Sequence, residues 1–182
     1  GRELTIKDIQ TFFKAAENLS FKKKETLIQE GTKNNKVFYI RKGLVRCYYV
    51  NDKGDEITFR LIPEHHIVIN SDLILFKQPS KFYYQAFEGT KTYAIDYDIL
   101  QSIIASNGKY ESNRKFVYQE LLRQAQQRIE SFVLHTPEER YELYLKDFPN
   151  IVNRVPDKYI ANILGITPVS LSRIRKRIAS KK

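Results

Sequence analysis

A chain of 182 residues with 31 Lys and Arg against 21 Asp and Glu, a net charge of +10, has room for one generous domain or two modest ones. Its charge points to an acidic partner, nucleic acid ahead of an anionic membrane surface. Cys47 stands alone, which excludes an internal disulfide and a cysteine-built zinc cluster, disfavours cysteine-ligated iron–sulfur sensing and suits a reducing cytoplasm. No apolar run approaches the roughly 20 residues that span a bilayer, and the first residues lack a signal-peptide core. Methionine is absent, so short motifs guide better than long periodic counts.

Leu4, Ile6, Ile9, Phe12, Phe13 and Ala16 predict a short opening helix, and the basic run Lys22 to Lys24 reads as a solvated face. The period then shortens to two. Strands are predicted over 26–29, 37–40, 44–50, 56–61, 67–69, 82–87 and 90–96, divided by turns at Gly31, Gly43, Gly54 and Gly89. In VRCYYV, Val45, Cys47 and Tyr49 fall on one side, and Arg46, Tyr48 and Val50 on the other. Many short strands at regular spacing imply a sandwich or closed barrel, so residues 1–108 are expected to form an all-β sensor or scaffold.

A helix is expected over 97–105, a break over 106–109, and one continuous helix over 111–134. Tyr118, Leu122, Ala125, Ile129 and Phe132 recur there at heptad spacing. Such a seam asks for a twin, so 109–134 reads as a dimerisation helix of a homodimer. Thr136, Pro137 and Glu139 write a capping box for the next helix, which Pro149 stops. His135-Thr136 is the expected hinge, and 135–182 the third unit.

That unit ends in two short helical patterns, Asp157 to Leu164 and Pro168 to Ile178, separated by Gly165, Ile166 and Thr167. Thr167 is placed as a cap with Pro168 in the first turn behind it, and Pro156 is expected in the first turn of the earlier helix. The pattern is a helix-turn-helix. Arg154, Lys158, Arg173, Arg175, Lys176, Arg177, Lys181 and Lys182 face only Asp157, which leaves most of the chain's +10 on this segment. A phosphate backbone is the partner such clustering fits.

These residues resemble the superfamily of the cyclic-AMP receptor protein and the Fnr regulators of bacterial transcription. TPEERY followed by RVPDKYIANILGITPVSLSRIRK looks most like the branch common in Bacteroidetes. The resemblance implies an α+β chain with an N-terminal double-stranded β-helix (jelly-roll) barrel, a long dimerisation helix and a C-terminal winged helix binding a pseudo-palindromic operator. It also implies contacts with RNA polymerase. The usual wing is not expected here, because Ala179 to Lys182 cannot form its hairpin. The family's base-reading positions fall on Pro168, Val169, Ser172 and Arg173, with Arg173 matching the arginine that reads guanine. Phosphate contacts are expected from Lys158, Thr167, Ser170, Arg175, Lys176 and Arg177.

Two departures stand out. Val169 occupies a position where many relatives carry glutamate, so it can pack on a thymine methyl but cannot accept from cytosine. Relatives that bind cyclic AMP carry Gly-Glu-Leu and Arg-Ser or Arg-Ala segments, whereas this chain has Asn70-Ser71-Asp72 and Ser80-Lys81, without the arginine that clamps phosphate. The effector site is therefore expected to be degenerate, with no cofactor and an effector that is either a different small molecule or none. Two alternatives remain: an effector-blind protein-interaction module, and a cupin-like metal enzyme using Glu64, His65 and His66. Adjacent histidines on a strand point to opposite faces, which weakens the second. The expectation is a cytoplasmic, non-enzymatic regulator.

Overall fold

The computed structural model describes residues 6–105 and 110–180. α1 (Ile6–Ala15) opens the chain and β1 (Glu17–Phe21) follows at once. Then come β2 (Thr26–Ile28), β3 (Lys36–Lys42), β4 (Val45–Val50), β5 (Glu56–Ile62), β6 (Ile67–Val68), α2 (Ser71–Phe76), β7 (Tyr83–Ala86) and β8 (Thr90–Asp96). α3 (Tyr97–Ala105) leads to the long α4 (Tyr110–Leu134), then α5 (Pro137–Asp147), a 3-10 turn (Ile151–Asn153), α6 (Asp157–Leu164) and α7 (Pro168–Ser180). The expected break at 106–109 lies outside the described residues.

The strands form two antiparallel sheets in the orders β1-β8-β3-β6 and β2-β7-β4-β5. The expected jelly-roll barrel is not present, because neither sheet closes. β1 and β6 remain as free edges of one sheet, β2 and β5 of the other. β6 has two residues and β2 three, too few to carry a hydrogen-bond ladder around a corner. The sheets instead pack through side chains. Phe38, Ile40 and Ala94 from one meet Ile28, Val45, Cys47 and Ala86 from the other, all essentially without exposure.

β4 shows why simple alternation is only half the pattern. Val45 and Cys47 enter the core between the sheets, yet Arg46 and Tyr48 on the opposite side are also buried, at 4% and 6% exposure. That outer face is covered by the C-terminal unit. Leu44 and Leu61 share one apolar cluster with Tyr141, Ile151, Ile160, Ala161, Ile163, Leu164, Leu171 and Ile174. The helix-turn-helix therefore sits directly on the second sheet.

Candidate nucleic-acid interface

Local chemistry builds the helix-turn-helix. α6 stops at Gly165, whose φ of +65° lets its N–H reach Asn162 O at 3.1 Å while Ile166 N–H reaches Ala161 O at 3.0 Å. Thr167 Oγ1 accepts from Ser170 N–H at 3.1 Å and opens α7 behind Pro168. At α6 the expectation is corrected. Pro156 is the cap residue itself and makes no side-chain bond, so it sits one position before the first turn.

α7 buries Leu171 and Ile174 against α6, and the other side is open. Val169, Ser172, Arg173 and Lys176 are all exposed and are spaced i, i+3, i+4, i+7, one stripe of a helix. Pro168 is exposed at the head of the same helix. Arg173 has no partner among the described residues, so its planar fork of donors faces solvent.

The expected phosphate residues divide. Lys158 is exposed, with Nζ 4.9 Å from the Tyr159 ring centre. The Thr167 and Ser170 hydroxyls lie 3.0 Å apart and bond one another. Arg177 pairs through Nε with Glu138 at 3.0 Å while its side chain stays 61% exposed. Arg175 is held inside the unit, since Nη1 donates to Asp157 at 2.6 Å and Nε to Tyr141 Oη at 2.9 Å. It braces α7 against α6 and α5.

Along α4, Tyr118, Leu122, Ala125 and Ile129 are exposed, as are Val133 and Leu134 next to them. Phe132 is 41% exposed but also meets the turn, because a Cβ placed on Gly165 would lie 2.6 Å from its Cε1.

The residues expected to form a degenerate effector site do come together, and the polar side chains of Asn70, Asp72 and Ser80 are taken up by neighbouring backbone groups. Asn70 caps α2 by accepting from Leu73 N–H at 3.2 Å and donates to Thr32 O at 3.3 Å. Asp72 accepts from Lys81 N–H at 2.9 Å, and Ser80 Oγ donates to Phe82 O at 2.7 Å. Ser71 is half-buried as the first residue of α2. Only the Lys81 side chain is left exposed.

The metal alternative fares differently. His65 Nδ1 meets Tyr39 Oη at 3.0 Å, His66 Nδ1 meets Glu64 O at 2.9 Å, and the Glu64 carboxylate is taken by Arg154. Among the described residues no group of three or more His, Cys, Asp or Glu side chains is placed to hold a metal.

The contact between the helix-turn-helix and the sheet was not legible beforehand. Arg154 forks onto Glu64 with both bonds at 2.9 Å and also meets Glu88. That fork, before all other causes, lowers the Glu64 pKa to about 2. Arg46 lies between two rings, 4.2 Å from the centre of Tyr48 and 4.7 Å from that of Tyr159 on α6. Thr58 N–H of β5 donates to Asn162 Oδ1 at 3.2 Å. In the sequence these residues are single polar letters, separated by up to a hundred positions.

The sheet-bearing region has a recognisable counterpart. A family model described as the cyclic nucleotide-binding domain matches residues 18–107. FixK2 from Bradyrhizobium japonicum superposes with a TM-score of 0.74 at 17% identity, over 91% of this chain and 85% of that one. The two chains share a fold. CLP, the c-di-GMP-responsive global regulator of Xanthomonas campestris, superposes on this chain at a TM-score of 0.67 and 13% identity, covering 97% of this chain and 93% of its own. A CooA mutant from Carboxydothermus hydrogenoformans gives 0.66 at 21% identity, over 92% and 78%. No curated protein matches the sequence. Among the described residues no helix is long and apolar enough to cross a membrane.

Proposed function

We propose that this Crp/Fnr-type chain is a cytoplasmic, non-enzymatic transcription regulator that reads a pseudo-palindromic operator as a homodimer. The observation that carries the reading is the open stripe of Val169, Ser172, Arg173 and Lys176 on α7. A helix of this width fits the major groove, and the unpartnered Arg173 fork matches the O6 and N7 acceptors of guanine. Ser172 is the second polar reader, Val169 packs on a thymine methyl, and Lys176, Arg177 and Lys158 neutralise phosphates. The exposed apolar seam of α4 supports a second copy as its cover. The TPEERY and RVPDKYIANILGITPVSLSRIRK segments support the Bacteroidetes-type branch. Because the polar side chains of Asn70, Asp72 and Ser80 are already taken up by backbone groups of the protein, cyclic AMP is not the proposed effector.

Selection of duplexes from a randomised library at about 0.15 M salt tests the reading. The expected winner is an inverted repeat with guanine in each half-site, bound at least ~10³-fold more tightly than a scrambled duplex. Arg173→Ala is expected to cost about 1–3 kcal/mol on the winner and to relax discrimination at the guanine. Equal affinity for every duplex by the wild-type protein would overturn the proposal.

A further inference from the structure

A cavity of about 270 Å³ opens between α2, the segment before β3 and the head of α3. Leu73 and Ile74 of α2 give it an apolar side, with Ile74 buried and Leu73 half-buried. Lys33, Lys77 and Asp98 line it and are exposed, so charges of both signs adjoin one apolar surface. None of Asn70, Ser71, Asp72, Ser80 and Lys81 lines it, and neither does any residue of the second sheet, α4 or α7. It is therefore separate from the segments expected to hold a cyclic nucleotide and from the DNA-reading stripe.

The walls are held by their own bonds, whereas the charges are left over. Asn35 fixes the head of α3, since its carbonyl accepts from Tyr97 N–H at 2.9 Å and its Nδ2 donates to Asp96 Oδ1 and Asp98 Oδ2 at 2.9 Å each. Both amide hydrogens of Asn35 are thereby used. The other oxygen of Asp98 accepts no hydrogen bond among the described residues, and no cation among them pairs with it. Lys33 and Lys77 likewise make no ion pair among the described residues. Lys77 caps α2 at a φ of +58°, with its N–H on Leu73 O at 3.1 Å. That conformation suits glycine or asparagine better than lysine, so the ammonium is kept at the cavity against the backbone preference. Two cations and a carboxylate thus line one cavity without pairing across it. A ligand carrying both signs of charge a few bonds apart answers all three.

We propose that this cavity binds a small zwitterion with an aliphatic stem, an α-amino acid of the leucine type. Lys33 and Lys77 take its carboxylate, Asp98 takes its ammonium, and Leu73 and Ile74 cover its side chain. A dicarboxylate would bring like charge to Asp98, and a diamine would bring it to the two lysines. Because α2, the segment before β3 and α3 each supply a group, occupancy holds the three together and stabilises that arrangement. The proposal does not depend on whether the chain reads DNA.

The test titrates the full chain with L-leucine and L-isoleucine at neutral pH and constant ionic strength, followed by calorimetry and thermal melting. The expected result is one saturable site per chain, a Kd below about 1 mM and a rise in Tm. Isocaproate, which lacks the ammonium, and isoamylamine, which lacks the carboxylate, should each bind at least ~10-fold more weakly than leucine. Asp98→Asn should weaken leucine binding at least ~10-fold without weakening that of isocaproate. The double variant Lys33→Gln, Lys77→Gln should weaken leucine binding as much without weakening that of isoamylamine. The two variants remove opposite charges from exposed positions, so each serves as a control for the fold of the other. Absence of saturable binding of either amino acid up to about 10 mM would overturn the proposal. So would binding of either singly charged analogue as tightly as leucine, or leucine binding left unchanged by both variants.

Discussion

Arg154 sets Nη1 and Nη2 on the two carboxylate oxygens of Glu64, each at 2.9 Å, and so ties the residues before α6 to the loop after β5. Both side chains are about three-quarters covered, so the pair is less screened than a surface bridge. Glu64 has its pKa lowered to about 2 by this fork. A carboxylate with a depressed folded pKa stabilises above its unfolded value and loses that contribution as pH falls through the folded one. Arg154→Ala is therefore expected to lose about 1–3 kcal/mol near pH 7. The gap to wild type should close as pH drops from about 5 towards 2, in urea melts at stepped pH. A gap that is constant over that window would mean the pair does not stabilise the docked unit.

Gly165 answers to two constraints at once, a φ of +65° and the Phe132 ring 2.6 Å from where a Cβ would lie. Gly165→Ala should cost about 1–3 kcal/mol in thermal or urea unfolding. Adding Phe132→Ala removes the ring but not the backbone strain, so the second change should be cheaper in the Gly165→Ala background than alone. Simple additivity of the two would show that the ring moves aside freely.

What could be read in advance was mostly local. The Thr136–Glu139 capping box is present, with Glu139 N–H donating to Thr136 Oγ1 and Thr136 N–H donating back to the Glu139 carboxylate. Thr167, Gly165 and the α7 stripe likewise follow from neighbours within one helical turn. β1 was missed because Glu17, Asn18 and Ser20 are exposed and its ladder is made with β8, over seventy residues away. α2 was missed because six residues are too few for a helical period, although Asn70 is its cap. Strand existence was legible, but closure was not, since it depends on whether short edges such as β2 and β6 can pair. Arg46 looked like an ordinary outward residue of an alternating strand. Its burial comes from Tyr159, which no period in the sequence connects to it.

Leu122 and Ile129 are 68% and 65% exposed on the α4 seam, which is costly for a chain that remains alone in water. Sedimentation equilibrium should find a dimer in the wild type. Leu122→Glu should shift it to monomer and weaken operator binding by removing the paired half-site contact. A monomeric wild type at about 10 μM would remove α4 from the dimer model.

Arg175 and Lys176 are neighbours with the same charge and different surroundings, and this makes them a sharp pair to compare. Arg175 donates to Asp157 and Tyr141, and its Nη2 is buried without a partner, so its loss strips support from three helices and leaves Asp157 unpaired. Lys176 stands on the exposed stripe. Arg175→Ala should lower stability by about 1–3 kcal/mol and weaken DNA binding mainly by loosening the unit. Lys176→Ala should leave Tm within error and reduce the slope of log affinity against log salt by about 1. Both variants are measured by thermal melting and by binding at a series of salt concentrations. If Arg175→Ala keeps the wild-type Tm and reduces the salt slope as Lys176→Ala does, then Arg175 leaves Asp157 on binding and acts as a phosphate contact.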